Sequence, residues 1–180
     1  MKYHEAAVGL SSEWRTPPSI IEPIGLTYGF DPCAPVNGYC CVEATVRFTV
    51  HDNGLTKSWA GLGIGLVNPP WSEKRRAVVG WLCKFFAEAD GGIFICVART
   101  SADWFQEIAL ARAELICLPA TKTRFYRADG TPGPEPTNGI ALIGKGEIAC
   151  AALRRSRLGY CINVDRTAAP PARASTGRRP

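Results

Sequence analysis

Asn68-Pro69-Pro70-Trp71 puts an amide, two backbone-fixing rings and a large aromatic surface in four consecutive positions. That combination suits one chemical problem. An amine on an aromatic ring is a poor nucleophile because its lone pair is delocalised, and a strong base is not what it lacks. Two acceptors placed to take both amine hydrogens favour a more tetrahedral nitrogen. The Asn68 side-chain carbonyl and the Pro69 backbone carbonyl can be those acceptors, and the two prolines stiffen the loop so that they are preorganised. Trp71 offers a face on which a planar base, turned out of its stack, can lie. Methyl transfer to a planar amino nitrogen fits this set, and aromatic surface also tolerates a sulfonium donor nearby. The bland alternative is a turn that ends a strand. A [DNS]-P-P-[FWY] pattern arises by chance in roughly one chain of this length in a hundred at ordinary proline content. Its position directly after an apolar run makes chance a poorer account.

Such a loop needs rigid elements behind it. Residues 62–67 are apolar with interleaved glycines and end at the proline pair, which cannot sit inside a central strand. Residues 73–90 have helical spacing, with Val78, Val79, Leu82, Phe85 and Phe86 on one broad face, and Gly91-Gly92 is the expected stop. Upstream, Thr16-Pro17 has the form of a helix N-cap followed by the first helical residue. A short strand is expected over 26–30, ending at Asp31-Pro32-Cys33-Ala34, then a loop over 35–41 and a β-branched strand over 42–50. Residues 51–61 form a polar turn region around Asp52-Asn53-Gly54. Downstream, 93–98 reads as a strand, 102–112 as a helix and 115–118 as a strand. Residues 123–126 and 140–143 are expected to pair across the Gly/Pro-rich loop 129–139. Strands alternating with helices predict an α/β sheet whose ligands bind beyond the strand carboxyl ends. Asp31 and Asn68 both fall at such ends, so they should face one crevice.

Bulk properties set the frame. A chain of 180 residues suits one domain. No apolar run approaches the roughly 20 residues of a membrane span. The start, Met1-Lys2-Tyr3-His4-Glu5, lacks the form of a signal peptide, so a cytoplasmic protein without membrane contact is expected. The eight cysteines contain no C-x-x-C pair and the two histidines stand apart, so no metal site is expected and the thiols should be reduced. The net charge of +5 is uneven. Arg154, Arg155, Arg157, Arg166, Arg173, Arg178 and Arg179 crowd the C-terminal end against a single acid there, Asp165. A basic end of this kind either gathers phosphate non-specifically or is simply solvated. The expected organisation is a flexible lead-in over 1–12, one domain over 13–165, and a disordered basic tail over 166–180.

Over roughly residues 13–147 the sequence resembles the phage-type DNA N-6-adenine methyltransferases (Dam-type). The landmarks are Glu13-Trp14-Arg15-Thr16-Pro17-Pro18, Phe30-Asp31-Pro32-Cys33-Ala34, Asp52-Asn53-Gly54-Leu55 with Trp59, and Asn68-Pro69-Pro70-Trp71. Further on come Arg99-Thr100, Asp103-Trp104-Phe105 and Arg124-Phe125. The order Thr-Pro-Pro, Asp-Pro-Cys, Asn-Pro-Pro is that of amino-methyltransferases whose cofactor half precedes the catalytic loop. The resemblance implies a Rossmann-like S-adenosylmethionine-dependent methyltransferase fold in one abbreviated domain, encoded by a phage or prophage and working in the cytoplasm of a bacterial host. It implies adenine in DNA as substrate and DNA as partner. Thr16 and Pro17 would lie near the methionine end of S-adenosylmethionine. Asp31, Pro32, Cys33 and Ala34 would line the cofactor site, and Asp52 would accept from the cofactor's adenine amine. Asn68, Pro69, Pro70 and Trp71 would form the catalytic loop. Arg99, Lys122 and Arg124 are candidate DNA contacts, and 120–139 is the candidate for sequence readout. The sequence departs from the family pattern at Trp71, where Tyr is common. It also departs after Asp31, where the first glycine comes only at Gly38. The same loop chemistry suits an RNA base or a protein glutamine amide, and a non-catalytic nucleic-acid-binding relic is the rival of a different class.

Overall fold

The computed structural model describes residues 14–71 and 75–165. The expected lead-in over 1–12 and tail over 166–180 lie outside the described residues. The elements run α1 (Pro18–Ile24), β1 (Tyr28–Asp31), β2 (Ala44–Arg47), a 3-10 turn (Gly54–Thr56), β3 (Ile64–Val67), α2 (Arg75–Glu88) and β4 (Gly91–Val97). A π-helical turn (Phe105–Leu110), β5 (Leu115–Pro119), β6 (Ile140–Lys145), α3 (Glu147–Ser156) and β7 (Gly159–Asn163) follow. The strands form one seven-stranded sheet in the order β2-β1-β3-β4-β6-β5-β7.

Strand alternation divides the core into two layers. Ile93 and Ile95 of β4, Leu142 of β6 and Leu115 of β5 pack with Ile20 and Ile24 of α1 and Leu153 of α3. Phe94, Cys96, Ile143 and Ile116 point the other way, onto Leu82 and Phe85 of α2 and Phe105 and Ala109 of the π-helical turn. Burial on both faces explains why these strands read as continuous apolar runs. Each fully buried large side chain here contributes about 1.5–3 kcal/mol of transfer free energy. Among the described residues no helix is long and apolar enough to cross a membrane.

Directions matter more than order for the site. β2, β1, β3 and β4 are mutually parallel. β6 runs antiparallel to both β4 and β5, so β5 points the same way as β4. The carboxyl ends of β1, β2, β3, β4 and β5 therefore share one edge.

Several expectations are corrected. Pro17, with φ −79° and ψ 156°, occupies the cap position of α1 without a side-chain cap bond, and Pro18 is the first helical residue; Thr16 is not the cap. The expected strand 42–50 survives only as β2, because the chain turns after Phe48: Asp52 accepts from both the Thr49 N–H and its hydroxyl at 2.8 Å. The helix before β4 ends at Glu88, and Gly91-Gly92 belong to the strand rather than to a stop. A Cβ at Gly92 would approach the Gly65 carbonyl to 2.3 Å, so the close β3–β4 pairing requires a residue without one. Residues 140–143 do not pair with 123–126. Ile140 through Ile143 are buried and apolar on both faces, which suits the sheet interior between β4 and β5. Residues 123–126 make only isolated bridges through Tyr126. The segment 103–112 is helical as expected, with the π-helical turn inside it. α3 and β7 had no counterpart in the sequence reading.

Candidate functional site

From β1 the chain moves to β2 on one side and then to β3 on the other, so β1 and β3 flank the point where the strand order reverses. In open α/β sheets ligands bind at such a point, outside the carboxyl ends. Asp31 closes β1 and Asn68 directly follows β3. The two strands are held close by the Phe30–Gly65 register, where a Cβ on Gly65 would meet the Phe30 ring at 2.3 Å.

A cleft opens at this place. It is lined by Trp14, Arg15, Thr16, Asp31, Cys33, Pro35, Cys40, Cys41, Val42, Leu66 and Asn68. Thr16, Asp31, Cys33 and Asn68, expected to meet, are brought together. Pro17, Pro32, Ala34, Asp52, Pro69, Pro70 and Trp71 are not among the lining residues. Pro17, Pro32, Ala34 and Pro69 are buried, and Pro70 is exposed.

Asn68 holds a fixed orientation. Its Nδ2 donates to the Trp14 carbonyl at 3.2 Å and to Thr16 Oγ1 at 3.1 Å. Its Oδ1 is buried and has no hydrogen-bond partner. A buried acceptor without a donor costs about 1–3 kcal/mol and calls for a reason. Trp71 is half-buried and stands edge-on to Phe125, with ring centroids 4.5 Å apart at 67°. Its Nε1 is also buried without a partner.

Asp31 is the buried acid of the cleft, 6% exposed. Its Oδ1 accepts from the Cys33 N–H at 2.9 Å. Burial raises its carboxyl to about 6, although that hydrogen bond and the charge of Arg47 pull the other way. Burial also holds the Cys33 thiol well above its ordinary range, and the Asp31 charge adds to this, so Cys33 is an inert wall. Asp52 sits differently. Its carboxylate is held below the usual range by the Thr49 backbone and hydroxyl, in the turn beyond β2. That turn leans on the Asp31-Pro32 corner: a Cβ at Gly54 would come within 2.1 Å of the Pro32 carbonyl.

Three segments knit around the cleft. Arg15 and Tyr126 exchange backbone hydrogen bonds of 2.9 Å in both directions, and the Tyr39 N–H donates to the Ala128 carbonyl at 2.8 Å. The loop 120–139 is thereby fastened beside Thr16, with Phe125 as the seat of Trp71. Trp14 and Phe125 have no role in the sequence motifs and join the site only through the fold. Arg99 follows β4, and Lys122 and Arg124 follow β5, all exposed on the shared carboxyl edge. Lys122 and Arg124 face Glu135 at 4.0 and 3.7 Å. Trp59 and Trp104 are core residues, 0% and 6% exposed. All eight cysteines are free thiols. Among the described residues no group of three or more His, Cys, Asp or Glu could hold a metal ion.

Fold and site together define an α/β protein with a cleft at the carboxyl edge of its sheet, the place where open α/β sheets bind ligands. The chain matches the family described as DNA N-6-adenine-methyltransferase (Dam) over residues 6–142, and it belongs to that family. No curated protein and no solved structure matches it. The matched span includes Thr16, Asp31, Asn68 and the loop 120–139; α3 and β7 lie beyond it.

Proposed function

We propose that this chain transfers a methyl group from S-adenosylmethionine to the N6 amine of adenine in DNA. The fold is read as a Rossmann-like methyltransferase sheet abbreviated around β2. No helix spans the crossover from β1 to β2, and a single 3-10 turn stands between β2 and β3, where a parallel connection usually carries a helix. The observation that carries the reading is Asn68 Oδ1, a buried acceptor with no donor at the edge of a cleft that also holds Asp31. An adenine amine supplies the missing donor.

The residues present fit the cofactor. S-adenosylmethionine supplies an electrophilic methyl on a sulfonium and carries an ammonium at its methionine end. A buried carboxylate whose charge is poorly compensated gains when a cation arrives, which suits Asp31. Cys33 and Ala34 fix the Asp31 corner, and Thr16 with Pro17 borders the other wall. Asp52, with one carboxylate oxygen committed to its turn, is retained as a contact for the cofactor's adenine amine. Asn68 and the Pro69 carbonyl accept from the substrate amine and draw its nitrogen toward a tetrahedral form, and Trp71 stacks on the base, stiffened by Pro70 behind it. Arg99, Lys122 and Arg124 meet phosphate along the carboxyl edge.

The test is incubation of the folded protein with methyl-labelled S-adenosylmethionine and, separately, duplex DNA, RNA and a glutamine-containing protein. Label in DNA that becomes sensitive to an adenine-methylation-dependent nuclease is expected. Label only in RNA or protein moves the substrate. Absence of cofactor binding by folded protein sinks the enzyme reading in favour of a binding relic.

A further inference from the structure

We infer that Thr16, together with the Trp14 carbonyl, is a positioning residue that decides which end of the Asn68 amide meets the substrate. The inference rests on the amine-methylation reading above. The two ends of an asparagine amide are alike in shape and opposite in function: one oxygen accepts, one nitrogen donates. Turned over, Asn68 would present Nδ2 to an amine, donor against donor, and the acceptor would be lost. Something must therefore choose the orientation before substrate arrives.

The structure contains such a device. Nδ2 has two hydrogens, and it has two acceptors, Thr16 Oγ1 at 3.1 Å and the Trp14 carbonyl at 3.2 Å. A backbone carbonyl can only accept, so it refuses the oxygen end outright. The threonine hydroxyl can accept or donate; alone it would tolerate either orientation, and beside the carbonyl it completes the nitrogen's satisfaction. With both hydrogens spent away from the substrate, Oδ1 is left buried and unpartnered.

Thr16 is itself held in place. It is 5% exposed, its carbonyl accepts from Cys41 Sγ at 3.0 Å, and its neighbour Arg15 is locked to Tyr126. Its hydroxyl is free for this task because Pro17 has taken the cap position of α1. Contacts between residues 52 and 54 positions apart are not a by-product of local chain geometry.

The decisive variant is Thr16→Val, which keeps the shape and removes the hydroxyl, with Thr16→Ser as the conservative rescue. Thr16→Val is expected to lower kcat about tenfold, the scale of one lost hydrogen bond in the transition state, while KM for S-adenosylmethionine stays within about twofold. Thr16→Ser should restore kcat. Unchanged kcat in Thr16→Val overturns the inference. So does a raised cofactor KM at unchanged kcat, which would leave Thr16 a wall of the cofactor site with no hold on Asn68. A readout without turnover separates this inference from the reading it rests on. In 15N-labelled protein the two side-chain amide hydrogens of Asn68, assigned by their loss in Asn68→Ala, should both exchange slowly with solvent. In Thr16→Val one of them should exchange like a free amide. If the wild-type protein transfers no methyl group, the functional reading fails while this pattern still decides Thr16. Fast exchange of both hydrogens in the wild type overturns the inference even if Thr16→Val does not fold.

Discussion

Asn68 and Asp31 each stand in surroundings that are unfavourable without a ligand, and each makes a separate prediction. Asn68→Ala removes the acceptor and with it the preorganised stabilisation of the amine. A loss of kcat of about 100- to 1,000-fold is expected, by analogy with deletion of one preorganised group. Cofactor affinity, measured by calorimetry, should stay within a fewfold; retained activity would remove Asn68 from the chemistry. Asp31 predicts a trade between stability and binding. Its folded-state carboxyl lies at about 6, above the ordinary value of 3.8, chiefly because of burial. The folded protein therefore binds this proton more tightly than the unfolded chain does. The stabilisation is fully present below about pH 4 and is lost as pH rises through about 6. At pH 7.5 the charged form should cost about 1–3 kcal/mol. Asp31→Asn should therefore stabilise the ligand-free protein at pH 7.5 by about that amount in urea unfolding, with little gain at pH 4. The same substitution should weaken S-adenosylmethionine binding at least about tenfold. In the wild type that affinity should rise with pH through about 6, as the carboxylate forms. Equal stability of the two proteins at both pH values would show that burial of this charge is compensated by something else.

At the scale of elements, short-range rules worked where burial and local chemistry agree. β3 ends at a proline pair, and its Leu66 and Val67 are buried in opposite layers, so the strand and its loop were legible. The juxtaposition of Asp31 and Asn68 followed from strand ends alone. Three features were not legible, for different reasons. β6 looks like one arm of a hairpin, and only its burial on both faces, between strands that precede it in sequence, moves it to the sheet interior. Thr16 has the form of a cap, and its true partner lies 52 residues away. α3 buries Ala149, Cys150, Ala152 and Leu153, a stripe made mostly of small residues; Glu147 in its first turn and Arg154 and Arg155 in its last were a further signal. Gly91-Gly92 carries a prediction at this scale. Both ends of a glycine pair look like a helix stop, but Gly92 faces Gly65 across the β3–β4 ladder with no room for a side chain. Gly92→Ala should destabilise the protein by at least about 2 kcal/mol, the scale of overpacking in a close-packed interior. It should also lower activity by displacing β3 and Asn68 with it. A urea midpoint within error of the wild type would show that the ladder can open without cost.

Over the whole molecule, the parallel strands gather the chemistry and the charge on one edge. The basic C-terminal end is in part folded structure: Arg154 and Arg155 belong to α3 and Arg157 to the turn before β7. Beyond Arg15, which lines the cleft itself, the exposed cations that follow the strand carboxyl ends include Arg99, Lys122 and Arg124, and the last two face Glu135. Ion pairs at 4.0 and 3.7 Å between side chains more than half exposed hold little energy, so a DNA phosphate can compete with Glu135 for the same cations. Each phosphate contact adds about 0.9 to the slope of log affinity against log salt. Lys122→Ala and Arg124→Ala should each reduce that slope by about 0.9 and weaken binding alike on all DNA sequences. Glu135→Gln, which frees both cations, should tighten binding a fewfold at low salt and lose the advantage at high salt, where the Debye length shrinks. Filter binding on two unrelated duplexes across a salt series measures all three. A change in which adenines are methylated, with the salt slope intact, would instead make this loop a reader of base edges rather than of the backbone.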